Sequence, residues 1–198
     1  MMIVRGMVLT CLPAMAFVLV AIGSPAPAVC FQARDFFTPQ EEELVREAQI
    51  LDKRIDVFTK AVDRRLLVIT GGAVAAEKQL KKDAEKWGEL PTGTRAELIG
   101  DIARIFDAGI SNIDDVSARD EKNPLIPKAL RKLATAATRT VDQLRPLQAQ
   151  AKDDAEVHGF ELLVKHADEI VEAAANLPPP AEKKPKGKDK TEKIKETN

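Results

Sequence analysis

The sequence predicts an all-α protein: an antiparallel up-down helical bundle of four principal helices plus a shorter helix, with a disordered C-terminal tail. Three observations carry this expectation. Apolar residues recur in steps of three and four over four long stretches, the spacing that lines up one face of a helix. Ala, Leu, Glu, Lys and Arg dominate a chain of 198 residues that holds seven Phe, one Trp and no Tyr, a helix-forming composition. The connections between the patterned stretches are short, which favours antiparallel neighbours.

The best-patterned stretch is 38–69. Leu44, Ala48, Leu51, Ile55, Phe58, Val62, Leu66 and Ile69 form its stripe, and Val45 and Val57 widen it. Thr38 is the expected N-cap, Pro39 fits the first helical position and Glu41 completes a Thr-x-x-Glu capping box. Phe37 stands where a hydrophobic staple would, opposite a polar Glu42. One unbroken helix of about 45 Å is expected here, ending at Thr70-Gly71-Gly72. Residues 73–87 read as a shorter helix, or as a continuation of the first across the glycine pair. Two adjacent glycines cost about 2 kcal/mol inside a helix, which favours a break.

Thr94 and Glu97 form a second capping box before the stripe Leu98, Ile102, Ile105, Gly109, Ile113 and Val116. Asn123 is the expected cap of the next helix, with Pro127 able to delay its regular start. Its stripe is Ile126, Leu130, Leu133, Ala137, Val141, Leu144 and Leu147, and Pro146 should kink or end it near Arg145. The last helix starts near Asp153 and buries Phe160, Leu163, Val164, Ala167, Ile170, Val171 and Ala174. The bundle therefore occupies 38–177, after a lead-in at 29–37. Residues 178–198 open with a proline run and continue, from Ala181, with seven Lys against four acids. That composition cannot offset the entropy of ordering, so a disordered tail is expected.

The N-terminus has the pattern of an export signal. Arg5 precedes an apolar run from Met7 to Ile22, and Ala26-Pro27-Ala28 has the form that signal peptidase reads. Removal of 1–28 is the expectation, with cleavage after Ala33 as the second option and an uncleaved membrane anchor as the alternative. The formal charge of −1 becomes −2, because only Arg5 is lost. Cys11 lies inside this segment, so Cys30 is left without an internal partner. Its surroundings fit a lipidation motif poorly, since Val29 stands where a small residue belongs. An unpaired thiol is the plainer reading, and pairing between chains is open to it in an oxidising compartment.

Candidate site residues are few. Arg65 is the one strong charge on the seam of the first stretch, and Asp101 and Asn112 interrupt the stripe that follows Thr94. Such residues either fix register through pairing or line a ligand cleft. Asp101 and Asp107 are the expected carboxylate partners of Arg65. His158 and His166 are the only histidines, and their His-x-x-Glu order reverses the Glu-x-x-His of bundle metal sites. No metal site is assigned, with His166 as the weak candidate. The acid-rich 112–124 segment lacks the glycine and spacing of a calcium loop. The chain presents no nucleophile–base pair, no phosphate-cradling glycine loop and no cysteine pair, so no catalytic residue and no cofactor is assigned. Interleaved acids and missing aromatics argue against nucleic acid as a partner.

The segments TPQEEELVREAQILDKRIDVFTKAVDRRL (38–66) and NIDDVSARDEKNPLIPKALRKL (112–133) resemble parts of uncharacterised bacterial exported α-helical proteins. The resemblance covers about a quarter of the chain. It implies a helical class and a periplasmic or extracellular location, and brings no assigned activity. Together these readings predict an exported, non-enzymatic helical bundle that acts through protein–protein or envelope interaction, self-association being the simplest form. The alternative is a small-ligand or metal-binding bundle built on Arg65, Asp101 and Asn112. A third expectation is weak contact of the Lys-rich tail with anionic envelope polymers.

Overall fold

The stretch expected as one long helix is two. In the computed structural model, which describes residues 35–179, α1 spans Pro39–Glu47 and α2 spans Leu51–Ile69. The chain turns at Ala48, whose φ of −76° and ψ of 78° are those of an inverse γ-turn. The Gln49 amide donates across it to the Glu47 carbonyl at 2.9 Å. No glycine or proline lies at 48–50, so local propensity does not impose the break. Its cause is tertiary. Glu41 and Arg64 are 23 residues apart, about 35 Å along an unbroken helix. With α1 folded back, Glu41 Oε1 lies 3.1 Å from Arg64 Nε. Phe37 consequently stacks on Phe58 of α2, centroids 5.5 Å apart, in place of a staple within α1.

The remaining elements are α3 (Glu77–Trp87), α4 (Arg95–Arg119), α5 (Ile126–Gln148) and α6 (Asp154–Ala175). Among the described residues there are six helices and no strand. Residues 70–76 form turns, with Gly71 at φ +70°, so the shorter helix is separate and begins only at Glu77. Both capping boxes are closed in both directions: Thr38 with Glu41, and Thr94 with Glu97. Asp153 Oδ1 caps α6 by accepting from the Glu156 amide at 2.8 Å. Asn123 does not cap α5 itself. Its Oδ1 accepts from the Leu125 amide at 3.0 Å, one turn residue ahead of the helix. α5 also runs past Pro146 to Gln148 and does not stop at Arg145. The proline sits in the last turn, where it removes only the bond to the exposed Asp142 carbonyl, which water can replace.

The stripes meet in one core. Ile55, Phe58, Val62 and Leu66 of α2, Ile102, Ile105 and Phe106 of α4, Leu133 and Leu144 of α5, and Phe160, Leu163 and Ile170 of α6 are all buried in it. α2 and α6 each pack on α4 and α5. Polar side-chain pairs between helices give the helix directions. Asp52–Lys128, Asp56–Lys132 and Asp63–Arg139 join α2 to α5 at a constant separation of 76 residues, so those neighbours run parallel. Arg95–Glu156 and His166–Asp107 do the same for α4 and α6. Arg54–Asn112 and Arg65–Asp101 cross in the opposite sense, so α2 and α4 are antiparallel. Short connections thus do not make every neighbour antiparallel.

No described helix is long and apolar enough to cross a membrane. The expected signal at 1–28, the cleavage positions Ala28 and Ala33, Cys30, and the tail beyond Pro179 lie outside the described residues.

Candidate functional site

Arg65 lies where the seam of α2 puts it, inside. It is 1% exposed, and so are Arg64 and Asp101, while Glu41 is fully buried. Four charges without water are costly unless each is paired and hydrogen-bonded. Here two guanidiniums face two carboxylates. Arg65 holds Glu41 with both arms, Nη1 to Oε1 at 3.1 Å and Nη2 to Oε2 at 2.9 Å. This is the bidentate geometry that suits a planar guanidinium. Arg65 also donates to the Ala61 carbonyl at 2.8 Å and to the Phe36 carbonyl, and its Nε stands 3.9 Å from Asp101 Oδ2. Arg64 donates from Nε to Glu41 Oε1 at 3.1 Å and from Nη2 to the carbonyls of Gly88 and Glu89. Its guanidinium carbon sits 5.8 Å from the centre of the Trp87 ring, within cation–π range.

Glu41 also accepts from the Thr38 amide at 3.0 Å through Oε2. A carboxylate offers about four lone-pair directions. Arg64 once, Arg65 twice and Thr38 once account for them. The cluster therefore joins the 35–37 lead-in, α1, α2, the 88–89 turn and α4, and its anion is already saturated by protein donors. Gly88 suits this turn because its φ is +63°, a conformation that side chains with a Cβ rarely adopt.

Asn112 lies elsewhere, eleven residues along α4 from Asp101, which is roughly 16 Å. Its Oδ1 accepts from Arg54 Nη1 at 2.8 Å and its Nδ2 donates to the Ala108 carbonyl at 2.8 Å. Arg54 in turn donates from Nε to the Ala48 carbonyl at 2.9 Å, an acceptor left over by the helix break. Asn112 thus steadies the corner between α1 and α2, while Arg65 and Asp101 receive the far end of α1. His166 is on α6, with Nδ1 3.4 Å from Glu169 Oε2 and 4.0 Å from Asp107 Oδ1. Asp107 therefore faces His166 and not Arg65. The structure brings Arg65 and Asp101 together and leaves Asn112 and His166 apart from them. Among the described residues no group of three His, Cys, Asp or Glu is placed to hold a metal ion.

Sequence reasoning missed Glu41 and Arg64. Glu41 already had a local task in the capping box, and Arg64 lies off the apolar stripe. The signal that was present is the adjacency of Arg64 and Arg65. Side chains about 100° apart at the inner edge of a buried helix both need an anion, and the acid that meets them comes from across the break.

Two features lie on the surface, away from the buried cluster. Between the N-terminal halves of α4 and α6 lies an open groove of about 700 Å³, lined by Arg95, Gly100, Arg104, Lys152, Glu156 and Gly159 among others. Arg95 and Glu156 pair inside it. The hydrogen bond from Arg95 holds the Glu156 carboxyl below the usual carboxylate range, against the upward push of its own burial. On the outer side of α6, Val157, Val164 and Val171 recur every seven residues. Val164 and Val171, expected in the core, lie outside it: Val157 is 44% exposed and Val171 40%, and Val164 is half-buried between them. Comparison of the chain with protein-family models, with curated proteins and with solved structures gives no match.

Proposed function

We propose that the chain is an exported, non-enzymatic helical protein that works by binding another protein at the cell envelope, with self-association as the simplest form. In this reading α2, α4, α5 and α6 form a four-helix bundle that runs alternately up and down in chain order. Its two parallel contacts, α2 with α5 and α4 with α6, arise because consecutive helices are not always neighbours. The observation that carries the binding role is the valine row on α6. Three apolar side chains at seven-residue spacing lie outside the filled core and offer one row on which a partner could pack. The buried charges support it from the other side, since Glu41, Arg64, Arg65 and Asn112 are all engaged with groups of the chain itself. Export rests on the pattern of residues 1–28.

The test is crosslinking of the full chain in cells, with identification of whatever is held. The comparison is Val157→Ser/Val171→Ser, which alters two exposed positions and should leave the melting temperature in place. Loss of the crosslinked species in the variant is the expected result. Equal capture by both proteins would remove the α6 row from the account, and a lone monomer that holds nothing would end the binding reading.

A further inference from the structure

The break at 48–50 separates two helices whose sequence is that of one. The stripe Leu44, Ala48, Leu51, Ile55 continues through it without a change of phase, and no residue from Gln40 to Ile69 is glycine or proline. The corner is held mainly from outside itself, by Arg54 on the Ala48 carbonyl. Ile50 caps α2 without a side-chain hydrogen bond and is 54% exposed, and Ala48 holds an inverse γ-turn. What bends the chain is the pairing of Glu41 with Arg64 and Arg65. If 48–50 became helical, Glu41 would stand about 35 Å from its own arginines. Two buried guanidiniums would then face an empty groove.

We infer that residues 35–47 are an exchangeable arm, and that two copies of this chain form a dimer in which each arm docks on the other copy. In that state α1 and α2 join into one straight helix. Each Glu41 meets Arg64 and Arg65 of the partner copy. Phe37 stacks on the partner's Phe58, and Phe36 offers its carbonyl to the partner's Arg65. Every contact of the arm is remade in trans, and the helical hydrogen bonds missing at the corner are gained in exchange for the Arg54 bond to the Ala48 carbonyl. The occupant is fixed by complementarity: the groove needs a carboxylate preceded by an aromatic lead-in and followed three residues later by a leucine, which is the arm's own order, Phe36-Phe37, Glu41, Leu44. A single covalent link joins the arm to the rest of the described chain, as exchange of an element between identical copies requires. This goes beyond the α6 reading and does not depend on it.

The experiment is sedimentation and native mass spectrometry of the full chain over a concentration series. Three variants are compared with it. Ile50→Pro forbids the straight helix. It costs the corner no hydrogen bond, because the Ile50 amide makes none among the described residues, and it asks Ile50 to move by about 25° from its φ of −91°. Gln49→Ala/Ile50→Ala favours the straight helix and removes the Gln49 bond to the Arg46 carbonyl. Val157→Ser/Val171→Ser removes the α6 row. The proposal expects a wild-type dimer, at least tenfold less of it in Ile50→Pro at unchanged helix content, severalfold more in the Ala pair, and no change in the valine variant. Equal dimer in wild type and Ile50→Pro overturns it, even if the valine variant shows that α6 mediates association. Absence of any dimer in both wild type and the Ala pair also overturns it.

Discussion

Glu41→Gln is the sharpest test of how α1 is held. The substitution keeps the size and shape of the side chain and removes one charge. Four donors converge on that carboxylate: Arg64 Nε and Arg65 Nη1 at 3.1 Å, Arg65 Nη2 at 2.9 Å and the Thr38 amide at 3.0 Å. A glutamine offers one oxygen to this set and turns an NH2 group toward a guanidinium. Two buried arginines are then left with Asp101 as the carboxylate facing them, 3.9 Å from Arg65 Nε. Removing one partner of a buried ion pair costs about 3–5 kcal/mol, because the remaining charge stays desolvated. Against a typical domain stability of about 5–15 kcal/mol, that is a large share. For a domain of this size, each kcal/mol moves the melting temperature by roughly 2–4 °C, so a fall of about 6–20 °C is expected.

The assay is thermal and urea unfolding of Glu41→Gln, Arg65→Gln and the double variant, read as a double-mutant cycle. Coupling between the two sites should exceed about 1 kcal/mol, as for residues in one buried network. Amide exchange should also show α1 opening first, since Leu44 is its only buried apolar residue. A Glu41→Gln protein within about 1 kcal/mol of wild type, with additive behaviour in the cycle, would refute the reasoning. It would mean that the charges are hydrated and that α1 is not held by them.

The remaining predictions concern other parts of the fold. The hydrogen bond from Lys128 holds the Asp52 carboxyl below its usual range, and that from Arg95 does the same for Glu156. Folded pKa values below the unfolded ones give stability that is complete above the ordinary carboxylate range, about pH 4, and is lost as pH falls through the lower folded values. Melting temperatures measured against pH should therefore drop on the acid side, and Asp52→Asn should flatten that limb; an unchanged slope would count against the Lys128 bond. Asp63 has the opposite sign, since burial pushes its carboxyl up against the pull of Arg139, so its contribution declines as pH rises through that raised value. Gly109→Ala should destabilise by about 1 kcal/mol or more despite the gain in helix propensity, because the new Cβ would lie 2.9 Å from Leu133 Cδ2 in a filled core. Urea midpoints measure this, and a stabilised variant would show that Leu133 can yield. Asn112→Ala should cost about 1–2 kcal/mol and speed amide exchange at 48–50 by freeing Arg54 from its partner; exchange at that corner equal to wild type would separate Asn112 from the break.

Helix existence was legible because it depends on short-range pattern. Thr94 with Glu97, and Asp153, mark helix starts through side chains that reach only three residues along the chain. Their effect is present in the sequence whatever the rest of the fold does. The break at Ala48 has no such local cause, and the stripe from Leu44 to Ile55 gives no hint of it. Directions between helices were equally hidden. The rule that joins a short connection to antiparallel packing describes consecutive helices, whereas α2 and α5 meet across two intervening elements. A pattern was nevertheless available: Asp52, Asp56 and Asp63 repeat the spacing of Lys128, Lys132 and Arg139, and all three can pair at once only if the helices run the same way. Arg65 was legible as an inward charge, and its pairing with Asp101 was among the expected outcomes. Its main anion was not, since Glu41 lies on what reads as the same helix.

The buried cluster makes physical sense as a device of specificity more than of strength. A buried ion pair is seldom more stabilising than a well-packed apolar replacement, because desolvation takes back much of the attraction. α1 has little else to fix its position: Glu41 and Leu44 are its only buried residues. One leucine on a nine-residue helix would allow it to slide or rotate along α2 at small cost. A carboxylate that must meet two guanidiniums and the Thr38 amide at once is satisfied in a single placement. That placement also decides between the two ways the 38–69 sequence can fold, one straight helix or two folded back. Local pattern favours the first, and the cluster enforces the second when the arginines belong to the same copy. The charge is therefore most informative at the point where the apolar pattern is ambiguous, which is where Arg64 and Arg65 both face inward.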